Sequence, residues 1–371
     1  MKSNLKHYLV LLLFILTLLT PAIDRKFHFL PVLESTEKRD LAPRPQYSLS
    51  IGVPTMVKSF EAYWNDNFGG RSLLINLRTH LWVKLFGESP IPYVTIGKNG
   101  WLFYKSEAKN DGPGINDYQG LTPLTDDEIK GIVDSIIQVK DELAKKDITL
   151  IVTVAPNKSS VYTDQLPSYI HQLKPKSRLD QIKSAMPKDV IFVDLRGVLI
   201  DSRSYLDTYQ TTDSHWNSYG AFLSVTELLK SMPKEFKISP YSLDDYNVES
   251  KPIMGEGDLA SMMAARGVFK ELSVTLTSKK DKAIVPEKFA TDQDKYTVSV
   301  YKGVNAKLPR LVVFGDSFAS YMGTFLAPHF STSYVISFAN NYKLNDDLID
   351  QESPDIIIWE VAERYVDRLK Q

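Results

Sequence analysis

Three patterns of apolar and polar positions follow one another along this chain, and each predicts a different kind of element. From Tyr8 to Ile23 (YLVLLLFILTLLTPAI) the residues are almost unbrokenly apolar behind Lys2 and Lys6. That is a charged n-region followed by an apolar h-region, a little short against the roughly 20 residues of a spanning helix. The next residues, LLTPAIDRK, offer no clean small-x-small cleavage site. An uncleaved signal-anchor over residues 1–23 is therefore expected ahead of a cleaved signal peptide or a buried core helix. With the lysines held on the cytoplasmic side, the chain from about residue 24 faces outward, toward a periplasm or cell surface. Residues 24–54 are charged and proline-punctuated (STEKRDLAPRPQYSLS), show no period, and read as an extended tether.

A helical period follows. FEAYWNDNFGGRSLLINLRTHLWVKLFG breaks at Gly69-Gly70, which predicts two short helices and a turn. In YVTIGKNGWLFY, apolar residues flank Lys98-Asn99-Gly100, a hairpin signal whose Trp101 and Phe103 suit a core. Residues 125–146 place Ile129, Ile132, Val133, Ile136, Ile137, Val139 and Leu143 on one side of a helix. Thr125 and Glu128 form its capping box. The unbroken apolar run ITLIVTVAP then reads as a buried strand, followed by a helix near 176–186 and the strand DVIFVDL. Alternating helices and strands imply parallel crossovers and an α/β sheet. Residues 218–231 are helical again. Within 240–310 the rhythm changes: ELSVTLTS and KYTVSVYKG alternate at period two, as an inserted antiparallel hairpin would. RLVVFGDS, TSYVISFAN and PDIIIWEVAERYVDRL resume the α/β pattern.

Composition narrows the chemistry. Hydrophobic residues at 43% and charged ones at 24% describe a globular chain, and a net charge of -1 gives no nucleic-acid footprint. The absence of cysteine removes disulfides, thiolate nucleophiles and Cys-ligated metals together. A nucleophile must then be a serine or threonine. Ser317 in RLVVFGDSFASYM follows an apolar strand and a permissive Gly315, ahead of an expected helix start. There its hydroxyl would stand beyond the carboxyl end of the strand, and its own N–H where an oxyanion forms. Asp and Ser are also ordinary N-caps, so Gly-Asp-Ser alone has a structural reading. The missing partner is in TTDSHWNSYG: His215 as base and Asp213 as the group that orients it. Of the other histidines only His329 is a rival, and no acid adjoins it. Trp216 and Tyr219 would stack on a sugar if exposed, or simply pack. Asn157 and Lys158, just past a strand end, would face the cleft. A metal set of Asp213, His215 and Asp316 is a remote alternative, so neither metal nor cofactor is expected.

Gly315-Asp316-Ser317 after a strand, with an Asp-x-His element, resembles the SGNH (GDSL-type) hydrolase superfamily. That family usually places Ser first and Asp-x-x-His last. Here the acid–base element comes about a hundred residues earlier and lacks one residue between acid and base. In this the chain resembles the AlgX/AlgJ-type alginate O-acetyltransferases, whose SGNH core is circularly permuted and whose acid–base element is Asp-x-His-Trp. Further matching stretches are FEAYWNDNFGGRSLL (60–74), GKNGWLFY (97–104), VAPNKSSVY (154–162), DSHWNSYGA (213–221), GEGDLASMM (255–263), FGDSF (314–318) and PDIIIWEVAER (354–364).

The resemblance implies a three-layer α/β/α domain with a parallel sheet over 55–371, carrying the β-rich insertion at 240–310. It implies Ser317 as nucleophile, His215 as general base and Asp213 as its orienter. The superfamily's oxyanion Gly and Asn have no clean counterpart: Asn340 or Asn341 falls near the glycine block, and Arg364 near the Asn. Either the Ser317 amide is one donor of a differently built hole, or Arg364 has another role, such as holding an acid. Glu363 and Arg364 read equally well as a structural ion pair. The implied activity is O-acetyl transfer to an extracytoplasmic polysaccharide, with a membrane-bound O-acyltransferase as acetyl source. A carbohydrate esterase with the same triad and a non-catalytic glycan-binding component are the alternatives.

Overall fold

The computed structural model of the chain describes residues 2–31, 41–45, 51–105, 114–280, 287–291, 296–303, 305–337 and 342–370. Contacts divide the chain into two compact units, residues 1–91 with 260–268, and residues 92–259 with 269–371. The expected folded body starting at residue 55 is thus shared between them.

The strands are β1 (Val94–Ile96), β2 (Leu102–Tyr104), β3 (Thr149–Ala155), β4 (Ile191–Asp194), β5 (Tyr246–Met254), β6 (Lys270–Ser278), β7 (Glu287–Thr291), β8 (Tyr296–Lys302), β9 (Arg310–Gly315), β10 (Thr332–Ser337) and β11 (Ile356–Ala362). All belong to the larger unit. Seven form one sheet in the order β4-β3-β11-β9-β10-β8-β7. β4, β3, β11, β9 and β10 run parallel, whereas β8 is antiparallel to β10 and β7 to β8. Strand-by-strand alternation supplies two apolar faces. Leu311 and Val313 of β9 join Ile356 and Ile358 of β11 beneath helix α6 (Ser218–Ser231). Val312 and Phe314 join Ile357 and Trp359 against α4 (Asp126–Ala144) and α5 (Arg178–Ala185). Each fully buried aliphatic side chain contributes roughly 1.5–3 kcal/mol, so a strand covered on both sides needs a continuous apolar run. The result is the expected three-layer α/β/α arrangement.

Several local expectations hold residue by residue. Thr125 and Glu128 make the reciprocal capping box of α4. The β1–β2 hairpin turns on Asn99 and Gly100, both at positive φ, and Trp101 and Phe103 are buried. The β-rich insertion is built differently from the expectation. ELSVTLTS (β6) pairs with β5 in a separate two-stranded sheet, while KYTVSVYKG (β8) joins the main sheet beside β10. Period-two alternation marks a half-exposed strand and carries no information about its partner. Only β5 and β6 behave as an inserted hairpin.

Helices α1 (Lys2–Phe27), α2 (Val53–Asn67) and α3 (Arg71–Phe86) belong to the smaller unit. Among the described residues one helix is long and apolar enough to cross a membrane, Lys6–Phe27, with mean hydropathy 1.9. The helix therefore passes the expected anchor boundary at residue 23, and Asp24 closes its end by accepting the Leu30 N–H at 2.7 Å. The expected free tether is also tied down at one point. Ala42 donates its N–H to Asp66 and accepts from Asn67 at the end of α2.

Candidate active site

The carboxyl end of β9 carries Ser317. No regular helix starts there: Asp316 to Phe318 form a turn, followed by a 3₁₀ turn (Ala319–Tyr321) and a four-residue helix (Gly323–Leu326). The expected helix N-terminus behind Ser317 is therefore absent, and with it any macrodipole contribution. Asp316 shapes the turn instead. Its Oδ1 accepts from the Phe318 N–H at 2.9 Å, and its Oδ2 from the Ala362 N–H of β11 at 2.9 Å. Its own N–H is held by Glu360 at 2.9 Å. Glu360 is fully buried; burial, and next the Asp316 charge, push its carboxyl well above the ordinary range. With its oxygens committed to β11 and the turn, Asp316 does not join Asp213 and His215, so the alternative metal set is not assembled.

The acid–base element sits on the loop between Thr208 and Asn217. A bridge between Tyr209 and Trp216 and the bond from Asn217 N–H to Thr208 O close its base. Asn217 then caps α6 through the Gly220 N–H. At the tip, His215 Nδ1 lies 2.6 Å from Asp213 Oδ1, and His215 Nε2 lies 2.6 Å from Ser317 Oγ. These partners assign the tautomer: Nδ1–H donates to the carboxylate and Nε2 accepts from the serine. The ring lies between Phe318, 4.7 Å away, and Tyr321, stacked at 5.4 Å. Burial alone would raise the Asp213 carboxyl. The hydrogen bond and charge of His215, with the N–H groups of Asp258 and His215, hold it far below the usual carboxylate range.

Three distant side chains fix this loop. Glu271 of β6 accepts from both the N–H and the hydroxyl of Thr212, at 2.6 and 2.7 Å. Asp258 accepts from the Ser214 N–H at 2.7 Å and its hydroxyl at 2.6 Å, while its own N–H donates to Asp213 Oδ2 at 2.8 Å. Gly257 lets this segment come close: a Cβ there would lie 2.5 Å from the Thr212 carbonyl. The third is Lys158. Its ammonium is buried and donates to the carbonyls of Gln210 and Thr211, at 2.8 and 3.0 Å, above the Trp101 and Phe103 rings. Burial brings its pKa down to about 8, against the opposing pull of Asp213, Asp258 and Glu271.

Ser317, His215 and Asp213 are thus brought together, whereas the other expected contributors among the described residues are buried around them. Trp216 is fully buried and packs edge-on to Phe318 at 4.9 Å; Tyr219 is buried beside Tyr205. Neither is exposed for sugar stacking, because the bridge to Tyr209 and the inner face of α6 turn them into the core. Asn157 is buried, donating its N–H to Glu363 at 2.8 Å, so it and Lys158 support the site from within rather than line a cleft. Arg364 is buried among the Tyr104, Phe318 and Tyr365 rings, with Nη1 3.5 Å from Asn157 Oδ1. Glu363, raised to about 7 by burial, bonds Asn157. Asn340 and Asn341 lie outside the described residues. His329 is buried against Tyr241.

Asp258 is the neighbour that sequence reasoning missed, although GEGDLASMM was among the matching stretches. Its Oδ2 lies 3.9 Å from His215 Nδ1. Asp213, His215 and Asp258 are the one group of possible metal donors found among the described residues. The hydrogen bonds already made by all three account for the cluster without an ion. A serine hydroxyl on an imidazole whose far nitrogen meets a carboxylate is an arrangement that can generate a nucleophile at neutral pH.

The sequence of the SGNH hydrolase-like domain of the acetyltransferase AlgX matches residues 94–329. The chain belongs to this family. Asp213, His215, Asp258 and Ser317 all fall inside the matched range, and β10 and β11 beyond it. A probable alginate O-acetylase AlgJ of Azotobacter vinelandii is 28% identical over 221 residues, covering 58% of this chain but only 52% of that relative. Another, from Pseudomonas aeruginosa, is 24% identical over 349 residues, 87% of this chain and 83% of that one. In fold, the chain is similar to Bacillus cereus PatB1, with TM-score 0.55 and 17% identity over 75% of this chain and 98% of that one.

Proposed function

We propose that this chain transfers acetyl groups to the hydroxyls of an extracytoplasmic polysaccharide through an acyl-enzyme on Ser317. The observation that carries the reading is the continuous relay from Ser317 Oγ through His215 to Asp213, two contacts of 2.6 Å each. In the first half, Ser317 Oγ attacks the acyl carbon of an acetyl donor and its proton passes to His215 Nε2. Asp213 stabilises the imidazolium that forms. The donor's leaving group departs with that proton, leaving an ester on Ser317. In the second half, a sugar hydroxyl gives its proton to His215 and attacks the same carbon. The Ser317 oxygen leaves and recovers the proton, so the acetyl ends on the sugar and the enzyme is restored.

The apolar helix behind Lys2 and Lys6 supports a membrane anchor with the site on the far side. The curated relatives named alginate O-acetylases support a polysaccharide acceptor, and a membrane-bound O-acyltransferase is the proposed acetyl source. The decisive experiment incubates the full chain with a small acetyl ester donor and candidate glycans. Acetyl ester on the glycan, lost in Ser317→Ala, is the expected result. Free acetate without glycan ester would replace transfer by hydrolysis. Unchanged polymer acetylation in cells carrying Ser317→Ala would reduce the protein to a non-catalytic component.

A further inference from the structure

Helix α3 turns two polar residues toward protein: Thr79 Oγ1 donates to the Met263 carbonyl at 2.9 Å and Asn76 Nδ2 to the Ala264 carbonyl at 3.3 Å, both within the smaller unit. Leu74, Leu77, Leu81 and Leu85, spaced three, four and four apart, fall on the opposite side and are exposed by 49, 52, 50 and 71%. Helix α2 repeats the theme. Val53, Val57, Phe60 and Trp64 share one face and are all exposed, with Phe60 and Trp64 stacked at 6.2 Å. A soluble helix buries its apolar stripe; here the apolar stripes of both helices are exposed.

The turn between these helices sets their depth. Gly69 packs against the last turns of α1, where a Cβ would come within 2.4 Å of the Pro21 carbonyl and 2.6 Å of the Arg25 nitrogen. Arg25 donates to the Tyr63 hydroxyl at 2.7 Å and lies over the Tyr63 and Trp64 rings. Pro21 to Arg25 lie within the apolar span Lys6–Phe27. The α2–α3 hairpin is therefore fastened at the level where α1 would leave the hydrocarbon. Aromatic rings and long basic side chains are the residues favoured at that level. α3 carries the exposed Arg78 and Lys84 and no acid, which suits anionic headgroups.

We infer that the α2–α3 hairpin is an interfacial membrane element, lying in the bilayer surface beside α1 with the Leu74–Leu85 and Val53–Trp64 faces in lipid. The inference goes beyond the acetyl-transfer reading; it requires α1 to span the membrane and owes nothing to the catalytic relay. It also gives the chain a second lipid contact besides its anchor, of the kind that fixes orientation as well as attachment.

Tryptophan fluorescence tests it in the full chain. Of the five tryptophans, Trp101, Trp216 and Trp359 are buried in the larger unit, α1 has none, and only Trp64 and Trp82 lie on the hairpin. The chain is reconstituted in vesicles of phosphatidylethanolamine and phosphatidylglycerol whose acyl chains are brominated near the headgroup. Roughly a third of the emission should be quenched, and Trp64→Phe with Trp82→Phe should remove that quenched fraction while catalytic activity stays. Equal quenching in parent and variant, or none in a chain that floats with the vesicles, overturns the inference. A chain that does not float at all fails the anchor reading instead. If quenching is absent and a photocrosslinker at Leu81 captures another membrane protein in cells, the face belongs to a protein partner and the lipid assignment is wrong.

Discussion

The two halves of the candidate site are held in opposite electrostatic ways. The nucleophile turn rests on the sheet: Asp316 is bonded to backbone on β11 and on its own turn, and burial pushes the carboxyl beneath it, Glu360, well above the ordinary range. The acid–base loop accepts the Leu102 N–H of β2 at its Thr211 carbonyl, 2.9 Å away. It hangs on charged side chains from residues 158, 258 and 271, and its own carboxyl, Asp213, is kept ionised. Two carboxyl groups within one candidate site are thus shifted in opposite directions, a pattern that clusters at functional sites.

Amide substitutions probe that contrast. Asp213→Asn removes the charge that stabilises the imidazolium and offers His215 the wrong hydrogen-bond partner. Acetyl transfer should fall about a thousandfold with little change in thermal stability, and activity near the parent level would remove Asp213 from the relay. Asp258→Asn keeps the shape but weakens the clamp on Ser214. A loss of roughly ten- to a hundredfold is expected, in kcat more than in KM, because the base is misplaced rather than the acceptor site altered. A change in KM alone would say that Asp258 touches substrate.

Lys158 sharpens the comparison through pH. Its folded value near 8 lies below the reference 10.5, so between those values the unfolded chain still holds a proton that the folded chain has released. Stability therefore rises with pH across that window, and the penalty for burying the charge, about 3 kcal/mol, is fully present below it. Denaturant titrations should show this rise in the parent and not in Lys158→Met; parallel curves would mean the ammonium is not desolvated. The smallest effect belongs to Glu360→Gln. An amide retains the oxygen that accepts the Asp316 N–H and adds no charge, so stability should shift by about 1 kcal/mol or less. A loss as large as that of Asp213→Asn would show that Glu360 is ionised, and the contrast would collapse.

The same contrast explains what the sequence disclosed. The nucleophile half is written contiguously, as an apolar strand running into Gly-Asp-Ser, and Asp213 with His215 are two residues apart. The strands were legible because burial on both faces demands unbroken apolar runs. The supports of the acid–base loop were not legible as supports, because bonds from residues 258 and 271 to a loop near 212 leave no periodic trace. Trp216, Tyr219, Asn157 and Lys158 were expected to face the cleft or a sugar, and all four are buried. Adjacency along the chain fixes proximity, but which way a side chain points depends on a bridge partner such as Tyr209, 7 residues away. The partner of β8 was hidden for a related reason: a half-exposed strand pairs equally well at a sheet edge or in a free hairpin.

The position of β11 bears on when the candidate site is complete. It follows every other strand of the sheet in the chain, yet it lies between β3 and β9 and is paired with both. Until residues 356–362 arrive, the strand that leads into the serine has no neighbour on the side of the strand that leads to Asn157 and Lys158. Asp316 also lacks the Ala362 amide that steadies the turn. A copy truncated before residue 356 carries Asp213, His215 and Ser317 without the strand that joins β3 to β9, so the candidate site is complete only once the last strand of the sheet is in place.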